Sequence, residues 1–184
     1  MSPQSPARSH AGMSRHILLL TDFSADAGRA FLPVAQLADL LGARITLLHV
    51  IETSMARQAG LLIAPLEADP SGTLAERERE NDANRLLGDL ASRFSRECVV
   101  TPTLMHGPDV AGAAAAFAEA HHVDMIAMAS HGRTGLRRLM MGSVAEAMLR
   151  RSSVPVLVFP AGRAQPHRLR EARSGVATKG VGAC

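Results

Sequence analysis

The 184-residue chain contains no tryptophan and no tyrosine, and only five of its residues are phenylalanine. Proteins that bind single-stranded nucleic acid usually stack the bases on aromatic rings, so this scarcity argues against that function. Lysine is almost absent as well, because the single lysine is Lys179, close to the C-terminus. P-loop NTPases and protein kinases need a lysine at their phosphates, and both classes are therefore excluded.

Cysteine and long apolar runs are also scarce. Cys98 and Cys184 form no CxxC pair and no disulfide framework, which favours a reducing compartment and argues against a structural zinc site. The longest purely apolar stretch, residues 110–118, is mostly alanine, and it is far shorter than the roughly 20 residues of a membrane span. No secretory leader is recognisable. We therefore expect a cytoplasmic protein with no membrane partner.

The formal net charge of +3 is concentrated at the C-terminus. Residues 161–184 carry five basic residues and one acidic residue, whereas residues 15–160 carry 14 arginines against 16 acidic residues. A nucleic-acid-binding domain carries its basic excess on the folded part, so we do not expect a nucleic-acid partner. The sequence predicts one domain over residues 15–160, with disordered extensions over residues 1–14 and 161–184.

Short apolar runs alternate with stretches of helical periodicity along residues 15–160. Strands are predicted at 16–21, 43–50, 98–106, 123–129 and 154–159, and helices at 25–41, 74–96, 107–122 and 143–152. Residues 51–72 have no clear period and are predicted to form a long surface loop. This alternation is typical of a three-layer α/β/α domain with a parallel sheet. Ligands of such sheets bind at the carboxyl ends of the strands, where the strand order reverses.

The segment between the fourth predicted strand and the last predicted helix is suited to phosphate binding. Gly132 and Gly142 allow close approach of the backbone, and the pair Ser143 and Glu146 predicts a capping box at the helix start. The N–H groups at a helix start favour anions. Three arginines add positive charge nearby: Arg133, Arg137 and Arg138. A capped helix after a surface loop, without any ligand, explains the same spacing equally well.

Three histidines, His49, His106 and His131, lie near predicted strand ends and raise the question of a metal site. They belong to three different strands, and no HxH or HExxH spacing fixes their geometry. We therefore expect no metal site formed by protein side chains.

Several segments resemble the universal stress protein family. Residues 17–24, 47–50 and 154–158 are similar to its first, second and last strands. Ser130-His131-Gly132, followed after nine residues by Gly142-Ser143, resembles the ATP-binding signature Gly-x-x-Gly-x9-Gly-Ser/Thr, although Ala129 replaces its first glycine. The resemblance covers about residues 15–160. It implies a Rossmann-like, adenine nucleotide-binding fold with a five-stranded parallel sheet, for which we expect the order 3-2-1-4-5.

The resemblance also implies a role for individual positions. Asp22 would bind the ribose, and Val50 would recognise adenine through its backbone, with Leu20 and Met128 nearby. The phosphates would be surrounded by Gly132, Arg133, Gly142, Ser143 and Val144. The nucleotide-binding site would also include Ala129, Ser130 and His131.

The expected function is that of a nucleotide-dependent sensor or regulator in the stress response. It would bind ATP together with Mg²⁺ or Mn²⁺ and would be at most a slow ATPase, because no residue is an obvious general base. A homodimer is expected through the fifth strand, residues 154–159. Two alternatives stay open: a dimeric interaction protein that needs no nucleotide, and a small hydrolase that uses Asp22 and His131.

Overall fold

A computed structural model describes residues 15–53, 70–94, 98–130 and 141–160. The predicted disordered extensions and most of the predicted loop over residues 51–72 lie outside these ranges. Five strands form one parallel sheet: β1 (His16–Leu20), β2 (Arg44–Glu52), β3 (Val100–Gly107), β4 (Met125–Ala129) and β5 (Val156–Phe159). Their order is β3-β2-β1-β4-β5. The predicted α/β fold and its strand order are therefore confirmed.

The helices described are a 3₁₀ helix (Ala27–Ala30), α1 (Phe31–Leu41), α2 (Pro70–Ala91), α3 (Val110–Ala120) and α4 (Ser143–Arg151). None of them, in the part of the chain that the structure describes, is long and apolar enough to cross a membrane.

The single helix predicted over residues 25–41 is wrong in its first part, which is a separate 3₁₀ turn before α1. The hydroxyl of Ser24 caps this turn by accepting a hydrogen bond from the Ala27 N–H at 3.1 Å. Pro33 lies in the first turn of α1, where its missing N–H breaks no helical hydrogen bond. Gly42 ends α1 with a φ of 60°, as predicted for a residue without a Cβ.

The second helix begins at Pro70, earlier than the predicted start at Leu74. Proline is favoured in the first turn of a helix because its φ is already helical and its missing N–H is not needed there. Strand β2 is also longer than predicted, since its register with β3 continues to the pair Glu52 and Gly107. These two shifts shorten the predicted loop at both ends.

Two apolar layers enclose the sheet. One face packs on α3 and α4, and its core contains Leu18, Leu20, Leu48, Val50, Phe117, Met128 and Met148. The other face packs on the 3₁₀ helix, α1 and α2, and its core contains Ile17, Leu19, Val34, Ile45, Leu47 and Leu87. Successive residues of β1 alternate between the two layers, and all five are buried. A central strand covered on both faces explains the continuous apolar run in the sequence.

The strand order reverses between β1 and β4. The chain leaves β1 towards β2 on one side, and it returns from the edge strand β3 to β4 on the other side. The segments that follow β1 and β4 therefore diverge at the carboxyl end of the sheet. This divergence opens the crevice in which ligands of such sheets bind.

The two edges of the sheet differ. The carbonyls of Val99 and Gly107 accept hydrogen bonds from the N–H groups of Ile45 and Thr53 on the β2 side. Odd-numbered residues of β3 therefore direct their backbone groups towards β2, and the even-numbered Pro102 directs its backbone to the outer edge. Pro102 has no N–H to offer on that edge. On the opposite edge, Pro155 and Phe159 provide the carbonyls that bond to β4 and its following residue. Val156 and Val158 therefore direct their backbone groups outwards.

Candidate functional site

A cavity of about 290 Å³ lies at the carboxyl ends of β1, β2 and β4, beside the start of α4. Its lining includes every sequence-predicted site residue that falls within the described ranges: Leu20, Asp22, Val50, Met128, Ala129, Ser130, Gly142, Ser143 and Val144. The other three predicted residues, His131, Gly132 and Arg133, lie outside the described residues. The fold thus brings four separate segments of the sequence to one cavity.

The inner wall of the cavity is aliphatic. Leu20, Val50 and Met128 come from three different strands, and each is at most 7% exposed. All three belong to the core layer under α3 and α4. The cavity therefore offers a flat, uncharged surface of the kind that accommodates a purine base or another planar apolar group.

The turn after β1 fixes the position of Asp22. One carboxylate oxygen of Asp22 accepts a hydrogen bond from the Ser24 N–H at 3.0 Å. The hydroxyl of Thr21 accepts a hydrogen bond from the Phe23 N–H at 3.1 Å. Phe23 adopts a left-handed φ of 64°, which is uncommon for a bulky residue. These hydrogen bonds hold the carboxylate at the mouth of the cavity in spite of the strained backbone.

Backbone hydrogen bonds hold the start of α4 against the end of β4. The Gly142 N–H donates to the Ser130 carbonyl at 2.7 Å, and the Ser130 N–H donates to the Phe159 carbonyl at 2.7 Å. Ser130 is itself buried. These backbone bonds place the first turn of α4 beside the sheet, and the buried Ala145 and Met148 pack it against the core.

The capping box predicted from Ser143 and Glu146 is wrong. Gly142 is the N-cap residue, and it has no side chain with which to cap the helix. The Glu146 carboxylate accepts a hydrogen bond from Arg150 at 2.7 Å, one turn further along α4. The N-cap therefore lies one residue before the predicted one, and α4 begins at Ser143 as predicted. The positive end of the helix dipole therefore faces the cavity with a glycine at the N-cap position, an arrangement that favours an anion.

Residues that the sequence did not single out as binding residues also line the cavity. They include Thr21, Leu48, His49 and Glu52. The His49 Nδ1 lies 2.8 Å from the Thr21 carbonyl oxygen, and its ring lies 4.2 Å from the ring of Phe23. His49 thus braces the turn that carries Asp22. Glu52 was missed because the second strand was predicted to end at Val50, whereas β2 continues to Glu52.

The histidines at the strand ends have separate partners. His49 contacts the β1 turn, whereas the His106 Nε2 lies 3.1 Å from a carboxylate oxygen of Glu80. His131 lies outside the described residues. Within the described ranges, no group of three or more His, Cys, Asp or Glu side chains is arranged to hold a metal ion.

Comparison with known proteins identifies relatives over most of the chain. The sequence model of the universal stress protein family matches residues 13–160. The universal stress protein MJ0577 of Methanocaldococcus jannaschii is 30% identical over 159 residues, which cover 79% of this chain and 94% of that protein. The solved structure of MJ0577 has a TM-score of 0.61 at 27% identity and covers 83% of this chain and 100% of that one.

Two further solved structures share the fold. A universal stress protein from Burkholderia pseudomallei has a TM-score of 0.57 at 28% identity, covering 79% of this chain and 96% of that one. One from Archaeoglobus fulgidus, solved in complex with dAMP, has a TM-score of 0.53 at 17% identity and covers 79% of this chain and 97% of that one. The family model and the relative from Methanocaldococcus confirm the resemblance seen in the sequence, and the chain belongs to the universal stress protein family.

Proposed function

We propose that this protein binds ATP in the cavity at the carboxyl end of the sheet and acts as a nucleotide-dependent regulator in the stress response. One observation carries the proposal. Predicted site residues from four distant segments of the sequence line a single cavity beside a helix start whose N-cap is a glycine. An aliphatic wall next to an electropositive helix end matches the two chemically different ends of a nucleotide.

The proposed pose follows from the lining. Adenine lies against Leu20, Val50 and Met128, where burial of the base removes apolar surface from water. Asp22 accepts hydrogen bonds from the ribose hydroxyls. The phosphates reach the start of α4, where the N–H groups of Ser143 and Val144 have no carbonyl of the preceding turn to bond. The signature residues His131, Gly132 and Arg133 complete the phosphate site in this proposal.

A divalent cation fits the donor set of this site. Mg²⁺ prefers oxygen ligands and is usually held by substrate phosphates with one or two side chains. Asp22, Ser130 and Ser143 supply oxygen atoms along the cavity. When bound, Mg²⁺ or Mn²⁺ would neutralise part of the charge of the triphosphate. The described oxygen atoms would thus assist an ion that the phosphates hold.

The proposed regulator is at most a slow ATPase. A fast hydrolase needs a base within hydrogen-bond reach of the attacking water. Two described carboxylates, Asp22 and Glu52, line the cavity, and one oxygen of Asp22 is already bonded to the Ser24 N–H. Slow turnover suits a protein whose output depends on which nucleotide it holds.

A nucleotide ligand is also supported by the relative from Archaeoglobus fulgidus, which was solved with dAMP. Its identity to this chain is low, so it supports the ligand class through the shared fold alone. A cytoplasmic location remains part of the proposal.

We further propose a homodimer formed through β5. This strand pairs only with β4 within the described sheet, and all four of its residues are half-buried. Val156 and Val158 direct backbone groups to the outer edge, where a second copy can add its own β5. Light scattering of the full chain should give twice the 19.5 kDa of one chain at micromolar concentration. A monomer under those conditions would contradict this part of the proposal.

The absence of tryptophan and tyrosine permits a direct test of the nucleotide. Protein absorbance at 280 nm is very weak in this chain, so adenine retained through purification would give a dominant band at 260 nm. The nucleotide released by acid precipitation is then identified by chromatography, and ATP binding is measured by calorimetry with and without Mg²⁺. We expect ATP in the released material or saturable binding on titration. If a folded dimer releases no ATP and shows no saturable ATP binding, the result would favour the nucleotide-independent interaction protein.

A further inference from the structure

A second, larger cavity lies on the opposite face of the sheet. Its volume is about 810 Å³, within the usual range of about 300–1,000 Å³ for small-molecule sites. It runs between α1 and the C-terminal end of α2 and is lined on one side by α1 from Phe31 to Asp39. At a rise of 1.5 Å per residue, this side is about 12 Å long. We call this cavity the α1–α2 groove.

The groove exists because α1 and α2 pack on the same sheet face with little direct contact between them. Phe31 and Phe94 bridge them, with ring centroids 5.7 Å apart. Ala35, one turn after Phe31, offers only a methyl group to the seam. By contrast, α3 and α4 pack directly against each other on the other face. The small side chain at position 35 leaves the seam unfilled.

Aromatic residues are concentrated in the groove. Phe23, Phe31 and Phe94 are three of the five phenylalanines in the chain, and all three line it. Each of them is only half-buried, so part of every ring faces the groove. Apolar surface that remains hydrated gains free energy when a ligand covers it. Aromatic ligands gain about 0.5–1.5 kcal/mol more for each well-placed ring pair.

The charged side chains that line the groove are one of each sign, so the described lining offers an ionic ligand no net attraction. Arg93 and Asp39 both line it and carry opposite charges. Neither forms an ion pair within the described ranges. A ligand with a net charge would therefore meet one like charge for each opposite charge, and the long-range attraction would largely cancel.

We propose that the α1–α2 groove is a second ligand site, which binds an uncharged, flat aromatic molecule. It is separate from the nucleotide cavity, because among the described residues only Thr21 lines both cavities. The two cavities lie on opposite faces of the sheet, and the turn after β1 divides them. A ligand in the groove should therefore leave room for ATP.

A pair of dyes with the same rings tests the proposal on the full chain. N-phenyl-1-naphthylamine is uncharged, and 8-anilino-1-naphthalenesulfonate carries one negative charge; both fluoresce strongly when they leave water. We expect saturable binding of the neutral dye at one site per chain, at least about tenfold tighter than that of the sulfonate. Equal affinities for the two dyes would contradict the selection for uncharged ligands.

Two matched variants locate the dye. Ala35→Phe places a ring inside the groove and should abolish binding of the neutral dye. Leu40→Phe adds a ring on the same helix at a position that is 83% exposed in the native protein and outside the groove, and it should change nothing. Should Ala35→Phe fail to fold, Phe94→Ala serves instead, with an expected loss of about tenfold in affinity. Unchanged dye binding in whichever folded variant is used would overturn the proposal.

Competition with ATP separates the groove from the nucleotide cavity. Saturating ATP with Mg²⁺ should leave the bound dye in place. Stoichiometric displacement by ATP would place the dye in the nucleotide cavity and overturn the second site. If the protein binds no ATP, the Ala35→Phe variant alone decides whether the dye binds in the groove.

Discussion

The start of α4 allows phosphate binding and helix stability to be changed in opposite directions. Gly142 is the N-cap residue with a φ of −60° and a ψ of 149°, angles that any residue adopts without strain. Serine is a slightly better N-cap than glycine, so Gly142→Ser should stabilise the protein by a few tenths of a kcal/mol. Valine is a poor N-cap, and Gly142→Val should destabilise the protein by about 1 kcal/mol.

Both substitutions should nevertheless weaken ATP. The hydroxyl introduced by Gly142→Ser can accept a hydrogen bond from the Val144 or Ala145 N–H, which the phosphates must then displace. A net hydrogen bond of about 1 kcal/mol corresponds to roughly fivefold weaker binding. The branched side chain of Gly142→Val blocks a charge-assisted contact of about 2 kcal/mol, or roughly thirtyfold.

Calorimetry with ATP and with adenosine, together with thermal unfolding, measures all of these effects. We expect ATP affinity to fall in both variants, while the melting temperature rises for serine and falls for valine. Adenosine affinity should hardly change, because the base and ribose lie against Val50 and Asp22 in the proposed pose. If both folded variants bind ATP as the parent does, the start of α4 does not bind the phosphates, and the loop and helix are purely structural.

Three further outcomes are expected. Asp22→Asn keeps an acceptor for the Ser24 N–H and should weaken ATP and adenosine equally, by about tenfold, in calorimetry; a change in ATP alone would move Asp22 to the phosphates. Burial, and then Arg44, lower the pKa of His16. The folded state thus prefers the neutral ring, so stability in urea should fall as the pH drops below about 6.5 and should fall less in His16→Gln; parallel profiles would contradict this. A chain shortened to residues 13–162 should retain cooperative unfolding and ATP affinity, measured by circular dichroism and calorimetry; loss of either would show that the extensions are needed.

The architecture could be predicted because its signals are local. Apolar runs such as the one at His16–Leu20 become buried strands, and the glycine after α1 adopts the left-handed angle that its position requires. Helix boundaries were less accurate. The division of the first helix, for example, depends on hydrogen bonds that no periodicity encodes.

The parts of the site that depend on distant contacts could not be predicted. The true N-cap of α4 is set by the bond between Gly142 and Ser130, which are twelve positions apart. The local spacing of Ser143 and Glu146 predicted Ser143 as the N-cap instead. The α1–α2 groove has no sequence signature either, because it depends on how far apart two helices pack. Three scattered phenylalanines give no indication that they will share one cavity.

In the proposed homodimer, the difference between the two edges of the sheet would limit how many copies associate. A pair formed edge to edge through β5 is related by a two-fold axis, so each copy uses the same strand and the contact closes on itself. Growth beyond two copies would have to proceed from β3, where Pro102 faces outwards without an N–H. The proposed dimer would therefore have one edge for pairing and one edge that resists it. Replacing Pro102 would remove this stop and expose the assembly to open-ended fibre growth.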